Sequence, residues 1–211
     1  TVFGMLPFLL TGVCHSPVDA FFESMSGFTT TGASIFPEVE SLPRSILLWR
    51  SLTHWLGGMG IIVLSVAVLP MLGIGGMQLF RAEVPGPTKD RLAPRIRSTA
   101  AILWGVYAGL TAAEVGLLLL GGMSPFDAVC HAFATLSTGG FSTRNGSIGA
   151  YDNAYFDVVI TAFMFLAGAN FSLHFWLLRA GFAQYRRNEE FRLYSWIAIG
   201  ATALVALQLL A

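Results

Sequence analysis

One stretch of nineteen residues occurs twice in this chain, and this repeat limits what the chain can fold into. Residues 16–34 read SPVDAFFESMSGFTTTGAS, and residues 124–142, which lie 108 positions later, read SPFDAVCHAFATLSTGGFS. Seven of the nineteen aligned positions are identical, and they cluster at the two ends of the stretch. Similarity at a fixed offset indicates an internal structural repeat.

Each copy of the repeat predicts a short helix that ends in a loop of small residues. Ser16 and Ser124 suit an N-cap, a proline follows at the first helical position, and Asp19 and Asp127 face the positive end of the helix dipole. The segment 17–28 would form about 18 Å of helix. That length is too short to cross a hydrocarbon core of about 30 Å. We therefore predict a pair of re-entrant half-helices.

The residues after each half-helix supply groups that bind an alkali ion. Rings of backbone carbonyls and hydroxyls replace the water shell of a monovalent cation where several loops meet at one axis. Glycine allows the backbone conformations that such a loop needs. The candidate ion-binding residues are Thr29, Thr30, Thr31, Gly32, Ser137, Thr138, Gly139 and Gly140. Gly- and Thr-rich turns also serve as helix-packing surfaces, but the presence of two copies at one offset favours pore loops.

Composition indicates the class of protein in which such loops occur. Hydrophobic residues make up 55% of the chain and charged residues 11%, whereas soluble domains carry about 25% charged residues. We therefore expect an all-α integral membrane protein with a potassium-channel-like arrangement. The net charge is zero and there is no basic patch, so no nucleic-acid partner is expected. The sequence also lacks a Gly-x-Ser-x-Gly elbow, and we expect no enzymatic activity.

The hydrophobic pattern divides the chain into repeated helix–pore loop–helix units. The expected order is a first pore unit at 1–80, a cytoplasmic loop at 81–97, a second pore unit at 98–178, a cytoplasmic loop at 179–192 and the start of a third unit at 193–211. Within these units, we expect membrane spans at 45–69, 98–120 and 154–178. Both ends of the sequence lie in apolar runs, so we expect the chain to be part of a longer polypeptide.

Basic residues predict the orientation of the chain in a membrane. Nine of the twelve Lys and Arg residues fall in the segments 81–97 and 179–192, and the positive-inside bias makes that side cytoplasmic. Both pore loops would then enter from outside through an acidic mouth, which raises the local cation concentration. For Asp19 and Asp127 we favour helix capping over a role in this mouth.

Several other residues carry weaker expectations. Glu114 lies within a span, where an ionisable residue is either functional or paired with a polar neighbour in the half of the protein that this sequence does not include, and both alternatives stand. We expect close helix packing at Gly57, Gly58 and Gly60, a kink at 168–170, and packing roles for His54, His131 and His174.

Four motifs of the chain resemble the Trk/Ktr/HKT superfamily of potassium transporters. They are TTTGAS at 29–34, STGGFS at 137–142, HWLGGMGIIVLSVAVLP at 54–70 and MFLAGANFSLHF at 164–175. The segment NEEFRLY at 188–194 makes the bacterial Trk-type potassium uptake membrane subunit the most similar branch. The resemblance covers nearly the whole chain.

The resemblance implies an architecture and a function. Family members place four pore units around one axis, so this chain would hold two of the four, and each loop contributes one filter glycine, here Gly32 and Gly140. Glycine at the first position goes with potassium in the family, whereas serine is associated with sodium. The resemblance thus implies potassium uptake across the cytoplasmic (inner) membrane, with K⁺ as cargo and no cofactor in this chain. It also implies a homodimer and a cytoplasmic nucleotide-binding regulatory subunit.

Two alternative functions remain open at this point. A cation symporter that couples K⁺ to H⁺ or Na⁺ would use the same pore. A secondary transporter with broken helices also uses half-helices, but its repeats are commonly inverted, whereas the basic segments here place both loops on the same side.

Overall fold

The computed structural model describes residues 1–68, 92–171, 173, 174, 177 and 188–210. These residues form helices and connecting loops, with no strand in the described ranges. The all-α class expected from the sequence is confirmed. The chain divides into two compact units, one at 1–167 and one at 168–211.

The described residues of the first unit form six α-helices. They are α1 (Leu6–Leu10), α2 (Pro17–Phe28), α3 (Arg44–Val68), α4 (Leu92–Leu120), α5 (Pro125–Leu136) and α6 (Ala154–Ala167). Short 3-10 helices occupy Phe3–Met5 and Ser147–Tyr151. The second unit contains α7 (Glu189–Leu210).

The half-helices α2 and α5 have the predicted boundaries, and each has twelve residues. At α5 the Ser124 hydroxyl accepts a hydrogen bond from the Asp127 amide at 3.1 Å and donates to the Asp127 carboxylate at 2.9 Å, which confirms the expected cap. At α2, Ser16 occupies the N-cap position as expected, but its side chain makes no capping hydrogen bond. Proline occupies the first turn of both helices, where its missing N–H leaves no bond unmade.

The longer helices are long enough to cross a bilayer. With 25 residues, α3 is about 37 Å long, and α4 with 29 residues is about 43 Å long. By length and hydropathy together, the described part of the chain contains two candidate spans, Ala100–Leu120 and Glu189–Leu209.

Three helix ends differ from the sequence expectation. The described part of α4 reaches back to Leu92, so residues 92–97 of the segment 81–97, which was expected to be a loop, are helical, and residues 69–91 lie outside the described ranges. α7 begins at Glu189, within the segment 179–192. α6 ends at Ala167, so the span expected to run to 178 is interrupted at 168–170, where a kink was predicted. Glycine and asparagine are poor residues for a helix interior, which accounts for a break there.

The helix α3 is the central element of the first unit. It packs against α2 and α5, and also against α4, while α5 packs against α4 and α6. Both half-helices therefore rest on one long helix, and that helix positions the two loops that follow them.

Candidate functional site

The loops after α2 and α5 share one backbone conformation. Thr30 and Thr138, which are 108 positions apart, have φ of 55° and 54°, and Gly32 and Gly140 have φ of 77° and 89°. Positive φ is unusual for any residue with a Cβ and is an outlier for a β-branched one. The two threonines therefore hold a strained conformation, of a kind that clusters at functional sites.

The same hydrogen bonds shape both loops. Two amides after each half-helix donate back to carbonyls of its last turn. The pairs are Thr30 to Gly27 and Thr31 to Ser26 at 3.0 Å each in the first copy, and Thr138 to Thr135 and Gly139 to Ala134 at 2.9 Å each in the second. The two copies are therefore more alike in backbone structure than in sequence.

The two loops contact each other. Gly32 lies so close to Gly139 that a methyl group on Gly32 would overlap the Gly139 carbonyl oxygen. At Gly140, the counterpart of Gly32, no described atom lies within 4 Å of the position of such a methyl group. The fold thus brings residues predicted from both copies of the repeat to one place.

The hydroxyl groups of the predicted site residues divide into two sets. The Thr29 hydroxyl donates to the Met25 carbonyl at 2.8 Å, and the Ser137 hydroxyl donates to the Phe133 carbonyl at 2.8 Å. These two hydroxyls close the ends of α2 and α5, so their oxygen atoms support the helices. The Thr31 hydroxyl shares a 2.8 Å hydrogen bond with that of Thr29.

The second set consists of the hydroxyls of Thr30 and Thr138, which have no hydrogen-bond partner among the described residues. Thr138 and Gly140 are exposed, whereas Thr30 and Gly32 are half-buried. Ser137 and Gly139 are buried. The hydroxyls of the two strained threonines are therefore the ones that no hydrogen bond within the described residues holds in place.

The glycines of α3 allow close approach to both loops. A methyl group on Gly57 would overlap the Phe28 carbonyl, and one on Gly58 would meet both Ser137 and the Tyr107 hydroxyl. The predicted packing role is confirmed for these two glycines. At Gly60 no described atom lies within 4 Å, so the prediction is not met there in the part of the chain that the structure describes.

A buried ion pair fixes the first loop. Arg50 of α3 contacts Glu23 of α2 with 2.7 Å between Nε and Oε1, and the two side chains are 2% and 0% exposed. The other carboxylate oxygen of Glu23 accepts from the Ile35 amide at 3.0 Å. The Ser34 hydroxyl donates to Glu23 at 3.0 Å and accepts from Arg50 at 3.0 Å. Neither charged residue was among the predicted site residues, although opposite charges within apolar segments were a visible signal.

The second loop contacts the same part of α3. The Phe141 ring centroid lies 4.1 Å from the Arg50 guanidinium carbon and 3.9 Å from the His54 ring centroid, with an interplanar angle of 12° for the latter pair. The His54 ring also lies where a side chain on Gly139 would project. The packing role expected for His54 is confirmed, but the sequence did not indicate that it packs on a pore loop.

Polar contacts also join the connections that follow the two loops. The Asn145 side-chain oxygen accepts from the Val39 amide at 2.7 Å, and the Asn145 amide donates to Glu40 at 3.2 Å. Arg144 lies 3.7 Å from Glu40 and 3.9 Å from Asp127.

Tyr151 and its neighbours fix the second loop by different chemistry. The Thr143 hydroxyl donates to Asp127 at 2.7 Å, and His131 and Tyr151 share a hydrogen bond of 3.1 Å. Burial raises the pKa of the Tyr151 phenol, and a hydrogen bond with Tyr151 raises the pKa of Arg144. The phenol is therefore neutral and the guanidinium charged at neutral pH. His131 occupies the position that corresponds to Glu23, so the two copies hold their loops with different residues.

Glu114 is fully buried in α4, and its carboxyl oxygens have no hydrogen-bond partner within the described ranges. The described His, Cys, Asp and Glu residues form no cluster of three or more that could hold a metal ion.

Comparison with known proteins assigns the family. The TrkH family, described as a cation transport protein, matches residues 8–208. The Trk system potassium uptake protein TrkH of Vibrio parahaemolyticus is 46% identical over 201 residues, which cover 93% of this chain and 41% of that protein. The TrkH protein of Escherichia coli K12 is 49% identical over 194 residues, which cover 90% of this chain and 40% of that protein.

A solved structure gives the same assignment. The crystal structure of the potassium transporter TrkH from Vibrio parahaemolyticus matches with a TM-score of 0.80 and 40% identity, over 93% of this chain and 40% of that one. The chain thus spans about 40% of the length of these relatives. With nearly its whole length matched, the chain belongs to the TrkH family of cation transport proteins.

Proposed function

We propose that the full-length protein takes up potassium ions across the cytoplasmic membrane through a filter to which both pore loops contribute oxygen atoms. The observation that carries this proposal is the contact between two loops that share positive φ at corresponding threonines and glycines, with Gly32 lying against Gly139. The relatives compared above are named potassium uptake proteins, which supports potassium as the cargo.

The chemistry of the loops suits a dehydrated monovalent cation. Carbonyl oxygens at converging loops replace the water molecules that the ion loses. Thr30 and Thr138 add hydroxyls that have no other described partner. The C-terminal ends of α2 and α5 lead into the two loops, and the negative end of each helix dipole favours a cation there.

The contact between the loops is suited to a ring. Gly32 of the first loop meets Gly139 of the second, so different surfaces of the repeat are in contact. Such head-to-tail contacts generate a closed ring when the rotation between copies closes. The open space beside Gly140 is the position at which a third loop would repeat the contact. We propose that further loops of the full-length protein complete the filter in this way.

The direct experiment is rubidium uptake by the full-length protein in a host that lacks its own potassium uptake systems. Wild-type protein should restore growth at low potassium, while Gly32→Ser and Gly140→Ser should lower the preference for rubidium over sodium. Gly60→Ser is the matched control, because that glycine has no described atom within 4 Å. Failure of the wild-type protein to restore uptake would contradict the proposal, as would equal effects of all three substitutions.

The alternative to passive flow is a symporter that couples K⁺ to H⁺ or Na⁺ through the same pore, and the two differ in what drives the ion. With passive flow, purified full-length protein in vesicles should carry potassium down its own gradient in the absence of proton and sodium gradients. Uptake that requires one of those gradients would favour the symporter.

We further propose that the pore loops face the outside of the cell. Cys14 and Cys130 are buried, so an introduced cysteine can be labelled with little background. A membrane-impermeant maleimide should label Asp152→Cys in spheroplasts and label Arg187→Cys only after the membrane is opened. The reverse pattern would contradict this orientation.

By resemblance to the family, we also propose a homodimer and a cytoplasmic nucleotide-binding regulatory subunit as partners. Size-exclusion chromatography with light scattering on the full-length protein tests the dimer. Co-purification from the native host, with and without added nucleotide, tests the regulatory subunit.

A further inference from the structure

We propose that Arg50 is a positioning residue that ties the two pore loops to each other and thereby sets the ion selectivity of the filter. This inference rests on the proposed function, because it assigns Arg50 a role in the same filter. It concerns a residue of α3 that lies behind the loops and supplies no oxygen atom to an ion.

The first half of the link runs from Arg50 to the loop after α2. The guanidinium donates from Nε to Glu23 at 2.7 Å and from Nη2 to the Ser34 hydroxyl at 3.0 Å. Glu23 in turn accepts from the Ile35 amide at 3.0 Å. Residues 34 and 35 lie two and three positions after Gly32, the last candidate ion-binding residue of the first loop, so the ion pair fixes the point at which that loop leaves the filter.

The second half of the link runs from Arg50 to the loop after α5. Phe141 directly follows Gly140, and its ring centroid lies 4.1 Å from the guanidinium carbon. The Nη1 atom of Arg50 is buried and has no hydrogen-bond partner among the described residues. The electron-rich face of Phe141 is the nearer of two rings that stabilise this charge, the other being Phe36 with its centroid 5.6 Å from the guanidinium carbon, and such contacts are strongest when they are desolvated.

His54 completes the support of the second loop. It lies four residues after Arg50, hence on the same face of α3, and its ring stacks on Phe141 at 3.9 Å. Phe141 is 4% exposed, so the ring has little freedom to move. The position of the second loop therefore depends on two successive turns of α3.

The link through Arg50 occurs in the first copy of the repeat and has no counterpart in the second copy. The residues 108 positions after Glu23 and Arg50 are His131 and Val158. The second copy thus lacks the ion pair, and its loop is held by the contacts of Thr143, Asp127 and Tyr151. Arg50 touches both loops, and the spacing of the loop carbonyls depends on how the two loops are held relative to each other.

Arg50→Lys tests whether Arg50 links the two loops or only neutralises the charge of Glu23. Arg50→Lys keeps the positive charge beside Glu23 but removes the planar group that reaches Ser34 and stacks on Phe141. Phe141→Leu removes the ring and leaves the Glu23–Arg50 pair in place. Arg44→Lys is the matched control, because Arg44 begins the same helix and lies over the Phe126 ring of α5 at 5.6 Å, away from both filter segments.

The experiment measures the ratio of rubidium to sodium uptake by full-length variants in vesicles, at matched amounts of folded protein. Arg50→Lys and Phe141→Leu should each lower the ratio roughly tenfold, because each removes the contact between the Arg50 guanidinium and the Phe141 ring. The double variant should lower the ratio no further than either single variant, because both remove the same link. Arg44→Lys should leave the ratio unchanged.

Three outcomes would overturn the inference. A wild-type ratio in Arg50→Lys would make Arg50 only a counter-ion of Glu23. Effects that multiply to about a hundredfold in the double variant would mean that the two residues act independently. If Arg50→Lys does not fold, Phe141→Leu alone decides, and an unchanged ratio there contradicts the link. Each of these results leaves the proposed function intact, whereas absence of uptake by the wild-type protein overturns both.

Discussion

Gly32 of the first pore loop lies directly against the carbonyl oxygen of Gly139 in the second. The contact leaves no space for a side chain, and Gly32 also has a φ of 77°, a conformation that favours glycine. Two independent constraints therefore act on one residue, and they can be separated by substitution.

Gly32→Ala is expected to lower both stability and potassium uptake. The left-handed backbone alone costs alanine about 1–2 kcal/mol, and the overlap with Gly139 adds to this cost. Gly122→Ala is the control, because Gly122 has a φ of 90° with no described atom within 4 Å and lies before α5. It should lose only the backbone contribution, as measured by thermal unfolding in detergent, and should retain normal uptake.

Gly140→Ala tests whether the loops form a ring in the full-length protein. If a third loop docks on Gly140 as Gly139 docks on Gly32, the substitution should be as damaging as Gly32→Ala in both measurements. If it behaves like Gly122→Ala, the head-to-tail contact does not continue beyond the second loop.

Thr138→Val is expected to reduce uptake without a loss of stability. The hydroxyl of Thr138 is exposed and has no described hydrogen-bond partner, so its removal breaks no internal bond, while valine keeps the β-branched shape. Ser137→Ala should lower stability without reducing uptake. The Ser137 hydroxyl donates to the Phe133 carbonyl, and a lost hydrogen bond of this kind costs about 1 kcal/mol. Uptake assays and thermal unfolding on both variants check the contrast. Equal loss of stability in the two variants would count against it.

The fold could be predicted from the sequence to the extent that local signals determine it. Proline and an acidic residue at the start, and glycine or hydroxyl residues at the end, define α2 and α5 to the residue. Glycine at 168 and asparagine at 170 indicated the break after α6. The helical conformation of residues 92–97 was missed, because the charged residues and Pro94 of this segment resemble a loop.

The support of the site could not be predicted because it depends on long-range contacts. Glu23 and Arg50 are 27 positions apart, and Phe141 is distant from both in sequence. Nothing in local spacing brings them together, since their contact follows from the packing of α2 and α5 on the same helix. The contact between Gly32 and Gly139 has the same origin.

For the buried ion pair of Glu23 and Arg50, each single substitution should destabilise the protein more than the double substitution does. Glu23→Leu or Arg50→Met alone leaves an unpaired buried charge, which costs about 3–5 kcal/mol. The double variant Glu23→Leu/Arg50→Met leaves no charge, and apolar replacements of buried pairs are often neutral. Its unfolding temperature in detergent should therefore recover most of the way to that of the wild type. A double variant less stable than either single variant would mean that the hydrogen bonds to Ser34 and Ile35 dominate.

The contacts between the connections that follow the two loops give a final prediction, in which neutral Asn145 contributes more to stability than its charged neighbour Arg144. Arg144 and Glu40 are 44% and 45% exposed, so Arg144→Ala should cost less than about 1 kcal/mol. Asn145→Ala removes the acceptor of the Val39 amide, and Val39 is buried. An amide left without a partner in such a place costs about 1–3 kcal/mol.

Thermal unfolding and hydrogen exchange of residues 36–42 measure this difference. Asn145→Ala should speed exchange at the Val39 amide and lower the unfolding temperature. Arg144→Ala should change these two quantities by no more than the loss of an exposed ion pair does. The same ordering should hold at high salt, because screening weakens the exposed ion pair and leaves the hydrogen bond intact. A larger loss in Arg144→Ala would show that charge, and not the side-chain amide of Asn145, holds the two connections together.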